Sequence, residues 1–383
     1  MKLSKLMLSA LVAAAALVSC NKIETDNLDD SSLKSVELSL ANVEFITKGD
    51  GGEAITNGQA VYVKSFQVFF TDGSTLYPAY TADNQVVDAY YSAAADGTFA
   101  DLGTKKVFHF LPASVDRVIV LGNMPKVDIQ SVNTVSGIDA LLKVEAQQNQ
   151  KELALYANSR LTRTGDHVQS VDGHTTLLYS ATCNLLPRIA RMEIKNVGMT
   201  FNATPHRFTE VSIAKMAFVD FYNTCNLLAG TVDPQSVTTI PLTENDIFNY
   251  FAGLDLYTQN PWHVDDVTLT CAPGATTNNV ATNIAYHFFP HSGMKPTIMV
   301  RVNAKATATS DAAPAYVYTN DFKVGDTVLD AYHATDGTKG FCPGYIYRMN
   351  YTFDESNLEH QDKCIDVTVT VDTWKVVAVT PVF

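Results

Sequence analysis

Two histidines four residues apart, His287 and His291 in HFFPH, could share a metal ion if a helix carried them. Pro290 stands between them and the flanks alternate like strand, so no shared helical face and no metal ligand set is expected. The run PWHVDD gathers Trp262, His263, Asp265 and Asp266, an aromatic and acidic patch of a kind that contacts sugars. Trp262 is expected instead to pack against a loop or a sheet edge. The adjacent carboxylates Asp29-Asp30 and Asp265-Asp266 point apart on an extended chain, which makes them poor acid/base partners. The chain has no GxSxG elbow, no HExxH and no glycine-rich phosphate loop between strand and helix. The reading is therefore of a protein that is not an enzyme, with no catalytic residue, cofactor or metal.

Of six cysteines, Cys20 directly follows the N-terminal leader, and Cys183, Cys225, Cys271, Cys342 and Cys364 remain. Five is an odd number, no CxxC or zinc-like spacing occurs, and a chain of this length does not need staples. Buried free thiols are the expectation.

The elements that carry these residues read as strands. Residues 365–383, IDVTVTVDTWKVVAVTPVF, open with strict alternation from Ile365 to Val371. Past Trp374 the alternation fails: Val377, Val379, Pro381 and Phe383 form one row, and Val376, Ala378, Thr380 and Val382 the other. Neither face suits water, so this strand needs a groove in its own domain or in a neighbour. At the other end, SVELSLANVEF alternates through Val36, Leu38 and Leu40. A polar, glycine-rich loop follows, with Lys48-Gly49 at its exposed start. Next come a strand from Val61 to Phe70, a turn at Asp72-Gly73, and a buried strand through Val118 and Val120 ending at Gly122-Asn123. SGIDALLKVEAQ reads as a short surface helix capped by Ser136, and NSRLTRTGDHVQSVDGH as a long loop. From Cys183 the strand pattern restarts at PRIARMEI and runs to the terminal pair, with a small helix expected near TENDIFNYF. Many short strands and little helix give an all-β chain, and 383 residues suit two tandem β-sandwiches.

The net charge of −13, from 40 acidic and 27 basic residues with no basic cluster, argues against a nucleic-acid partner. MKLSKLMLSALVAAAALVSC has a basic start at Lys2 and Lys5, an apolar stretch from Leu6 to Val18, and a small residue before Cys20. It reads as a secretory signal over residues 1–19, too short for a convincing membrane span. Its end, LVSC, resembles the lipobox of bacterial lipoproteins, which implies cleavage before Cys20 and acylation, including palmitate, on that cysteine. Residues 20–35 form an acidic tether with Glu24, Asp26, Asp29 and Asp30, similar to the export signal of some Gram-negative surface lipoproteins.

The lipobox, VKSFQVFFTDGSTLY, VDRVIVLGN, PRIARMEI, GYIYRMNYTF and VTVTVDTWKVVAVTPVF together resemble, in order along the chain, the fimbrillin family. These are the FimA-like and Mfa-like subunits of type V pili. The resemblance implies two transthyretin-like β-sandwiches, over residues 36–182 and 183–383, exported as an outer-membrane lipoprotein precursor and assembled into an extracellular fimbrium. It implies that a trypsin-like protease removes the first strand, Val36, Leu38 and Leu40 included, by a cut at Lys48-Gly49. A C-terminal donor strand of the next copy, with Val377, Val379 and Phe383, would then fill the groove. The family's best-known protease cuts after arginine, whereas the residue here is Lys48; an uncut subunit would stay lipid-anchored. The competing expectation is a surface lipoprotein binding a host glycan or protein as an anchor, a tip or a monomer.

Overall fold

The computed structural model of the chain describes residues 33–41, 43–46, 60–93, 106–149, 152–171, 174–200, 207–239, 263–272, 278–354, 358, 364–373 and 375–379. Strands dominate. The first are β1 (Lys34–Ala41), β2 (Val43–Ile46), β3 (Ala60–Val63), β4 (Ser65–Thr71), β5 (Leu76–Tyr77), β6 (Ala79–Tyr80), β7 (Val86–Val87) and β8 (Tyr90–Ser92). Then come β9 (Lys106–Leu111), β10 (Arg117–Gly122), β11 (Leu141–Lys143), β12 (Leu155–Arg160), β13 (Thr162–Val171), β14 (His174–Asn184) and β15 (Leu186–Pro187). The second half holds β16 (Ala190–Thr200), β17 (Glu210–Val219), β18 (Phe221–Tyr222), β19 (Thr224–Asn226), β20 (Val237–Thr238), β21 (Val264–Cys271) and β22 (Asn278–Phe288). It closes with β23 (Thr297–Lys305), β24 (Ala313–Val324), β25 (Thr327–Val328), β26 (Tyr345–Asp354), β27 (Cys364–Thr373) and β28 (Lys375–Val379).

Burial follows the residue pattern. In β4 and β10 every residue after the first is buried, which their unbroken apolar runs require of strands covered on both faces. β21 alternates, with Val267, Leu269 and Cys271 inside and Asp266, Thr268 and Thr270 outside. Most strands of residues 34–187 make two sheets, ordered β13-β14-β1-β9-β6-β7 and β15-β12-β10-β4-β5, with β8 also beside β4; β2 and β3 instead flank β28 in a three-stranded sheet. Phe70 of β4 meets Phe108 of β9 edge to face at 5.1 Å, so the two sheets face each other across one core. Most strands from residue 190 onward make a nine-stranded sheet, β21-β17-β23-β24-β27-β26-β16-β22 with β25 beside β24, while β18 and β20 pair with each other. Phe218 of β17 stacks on Tyr286 of β22 at 5.0 Å, and the Tyr286 hydroxyl donates to Asp265 of β21 at 2.6 Å. The two ends of this long sheet thus lie over one another as a second pair of layers.

The halves are joined by directed contacts. β11 pairs with β19 in an antiparallel ladder, Leu142 opposite Cys225. The Asp139 carboxylate accepts the backbone N–H groups of Leu228 and Ala229 at 2.7 and 3.2 Å. Arg188 lies over the Tyr156 ring, 4.0 Å from its centroid, and donates to the Leu227 carbonyl at 2.6 Å and to that of Leu228.

Three expectations are corrected. The helix from Ser136 is instead two 3-10 turns, Val135–Ile138 and Glu145–Gln147, and Thr134 rather than Ser136 supplies the cap. The helix loses because Asp139 caps another segment and Leu141–Lys143 is taken up by the ladder to β19. The polar stretch expected as a loop, residues 158–174, is instead the end of β12 and the whole of β13, which turns back into β14: Val171 pairs with His174 and leaves Asp172-Gly173 between them. The strand expected from Val61 to Phe70 breaks at Lys64, because the Asn123 side chain accepts the Lys64 N–H at 2.7 Å and donates to the Tyr62 carbonyl at 2.6 Å. The helix expected near TENDIFNYF lies outside the described residues.

Candidate assembly groove

β1 occupies an interior position in its sheet. It runs parallel to β14 over its whole length, from Lys34 opposite Leu177 to Ala41 opposite Asn184, and antiparallel to β9 on its other side. Its inward row carries Val36, fully buried, then Leu38, also buried, and Leu40, partly buried against the same core. Opposite them on β14 stand Tyr179, Ala181 and Cys183, with Phe108 of β9 facing Val36. Two edges and this apolar row would face water without β1, an arrangement costly in both hydrogen bonds and apolar area.

The start of the seat is keyed by polar groups that the sequence did not reveal. Lys34 is buried, and its ammonium donates to the Val115 carbonyl at 2.6 Å while lying 4.6 Å from the Tyr179 ring centroid. Burial lowers its pKa, with nearby Asp116 opposing the shift. Ser35, on the other face, shares its hydroxyl with Thr176 Oγ1 at 2.5 Å and His109 Nδ1 at 2.9 Å. Beside it β9 bulges: Lys34 pairs with Leu111 but Val36 with Phe108, so His109 and Phe110 together oppose Ser35. Phe110 takes a φ of 55°, the left-handed region that a bulky residue enters only where its surroundings force it. All of these partners lie dozens of residues away from β1 in sequence, which is why a local pattern could not show them.

The terminal strand has a seat of its own in this chain. β28 lies between β2 and β3, parallel to both, with Val377 opposite Glu44 and Tyr62 and Val379 opposite Ile46. Val61 and Val63 of β3 are buried. Cys20, Lys48, Gly49 and Phe383 lie outside the described residues, as does Trp262.

The other residues picked out for chemistry have partners in the fold. His287 is buried on β22, its Nδ1 against the Gln147 carbonyl at 2.6 Å and its Nε2 against Arg191 at 2.8 Å. Burial and the Arg191 cation push its pKa down to about 3. His291 packs edge-on against Tyr222, with ring centroids 5.3 Å apart. His263 packs against Phe221, and burial lowers its pKa to about 4. Asp266 pairs with Lys215 at 2.8 Å. Unforeseen was the buried carboxylate of Glu193, held by Arg191 at 2.7 Å, Arg348 at 2.8 Å and Lys195 at 3.1 Å. Burial alone would raise its pKa; the ion pairs outweigh it and bring the pKa below the usual value. Among the described residues no group of three or more His, Cys, Asp or Glu could hold a metal ion. Cys183, Cys225, Cys271 and Cys342 are free and buried.

This architecture is that of solved bacterial fimbrial and adhesion proteins. A fimbrilin from Porphyromonas gingivalis superposes with a TM-score of 0.50 at 9% identity, over 91% of this chain and 99% of its own. A protein designated a candidate cell adhesion protein from Parabacteroides distasonis gives a TM-score of 0.51 at 14% identity, over 92% of this chain and 98% of its own. No family model and no curated protein sequence matches the chain.

Proposed function

We propose that the protein is a structural subunit of a cell-surface fimbrium, exported as a lipoprotein acylated at Cys20. A trypsin-like protease cuts at Lys48-Gly49 and removes the leading strand; the tail of a second copy, through Val377, Val379 and Phe383, fills the vacancy by strand addition. The two sandwiches, meeting near Arg188, act as the two units of that subunit. The observation that carries the reading is the seat of β1: an interior strand, apolar on its core face, supplied by the residues just ahead of a predicted protease-accessible loop. Restoring two buried aliphatic side chains in place of Val36 and Leu38 is worth about 1.5–3 kcal/mol each, besides the ladder to β14 and β9. In the uncut chain β28 sits beside β2 and β3, so it must leave that seat before a neighbour can accept it.

The test is limited trypsin digestion of the lipid-free protein under native conditions. Nicking near Lys48 is expected to release the first strand and to give a ladder on a denaturing gel run without boiling. A chain ending at Thr373 is expected to be cut and to stay monomeric. Equal polymerisation of that shortened chain would remove the tail from the mechanism.

A further inference from the structure

We propose that the vacated groove reads the incoming tail by register, and that Lys375 of the second copy takes the place of Lys34. The inference rests on the strand-addition reading above and adds to it a direction, a register and a residue that sets both. Written in the same direction, Leu33-Lys34-Ser35-Val36-Glu37-Leu38-Ser39 and Trp374-Lys375-Val376-Val377-Ala378-Val379-Thr380 correspond position by position. Each has a large apolar residue, then lysine, a valine two places on, an aliphatic residue two places after that, and then a hydroxyl.

The seat gives each of these a physical meaning. The position of Leu33 is buried with Tyr80 and Phe110. The position of Lys34 has a carbonyl acceptor at Val115 and an aromatic face at Tyr179. Val36 and Leu38 define the core row, and the bulge at His109-Phe110 breaks the uniformity of β9 at one place. A strand slipped by one residue swings Lys375 to the opposite face, away from the Val115 carbonyl, and sets Val376 and Ala378 in the core row; one slipped by two moves Lys375 off that carbonyl along the same face. Only the register that sets Lys375 on Val115 satisfies the seat at both points. Pro381 then falls at Leu40, beyond Leu38, where the pairing of β1 with β9 ends, so its missing N–H costs that ladder nothing. One mismatch remains: Val376 falls at Ser35 and offers nothing to Thr176 and His109.

The experiment uses the full mature chain with a site-specific protease sequence inserted between Gly51 and Gly52, so that cutting does not depend on lysine. After cutting, Lys375→Met is expected to give joints that come apart roughly 10- to 100-fold faster than those of the parent. Val376→Ser, which supplies the missing hydroxyl, is expected to make them slower to come apart. Pro381→Cys is expected to form a disulfide with the native Cys183 of the neighbouring copy, because Cys183 stands opposite Leu40. Ladders unaffected by Lys375→Met, with Val379→Cys rather than Pro381→Cys linking to Cys183, would overturn the register while leaving strand addition intact. Absence of ladders from the cut parent chain would overturn both.

Discussion

Cys183 reports on the groove from inside it. Its thiol is fully buried opposite Leu40, and burial pushes its pKa up to about 11. Losing β1 exposes that position, so the thiol is expected to go from inert to alkylated within minutes at pH 8 after cutting, and back to protected once a tail inserts. Labelling followed by peptide mass mapping reads this out, with Cys225 and Cys342 as buried internal controls. His287 yields a second expectation. Its folded pKa lies near 3 against an ordinary 6.5, so above pH 6.5 neither folded nor unfolded chain binds the proton. As pH falls below 6.5 the unfolded chain takes it up first, and stability declines by up to about 1.4 kcal/mol per unit until the folded pKa is reached. Glu193, also depressed by its cationic neighbours, adds its own loss only at the acid end of that window. Melting temperature against pH is therefore expected to be flatter between 6.5 and 4 for His287→Gln than for the parent. The apolar rows at Val36 and Leu38 could be read from sequence because strand period is local. The seats of Lys34 and Ser35 could not, since each is made by partners far away in the chain; Glu193 has Arg191 and Lys195 beside it on its own strand, but its third cation, Arg348, comes from β26.

At the scale of elements, β-propensity and turn residues located most strands, and failed where tertiary pairing competed with local preference. Leu141–Lys143 carries a fair helical pattern, yet its backbone is spoken for by β19. The β13-β14 hairpin was hidden by polarity: Thr162, Arg163 and Thr164 look like loop, but β13 is an edge strand with water on its outer side. Asp172-Gly173 between Val171 and His174 was the signal that could have found it. The break at Lys64 is of another kind, because Asn123, some sixty residues away, sets it with one side chain. That single amide steers β3 towards the terminal strand and leaves β4 to pair with β10.

For the whole molecule, length and composition were enough to anticipate an all-β chain of packed sheets, but not the way its parts are bolted together. Arg188 is a fastener: it covers Tyr156 from the first half and binds two carbonyls of the second. Arg188→Ala is expected to cost about 2–4 kcal/mol and to split a single urea transition into two, followed by tryptophan and far-ultraviolet signals together. The placement of β2 carries a consequence for timing. Asn42 alone separates it from β1, so the same short piece of chain fills the place between β14 and β9 and flanks β28. Under the strand-addition proposal, a newly made molecule is latched at both ends by one bolt. Drawing that bolt once would then arm both ends together, and no copy would become able to give before it is able to receive.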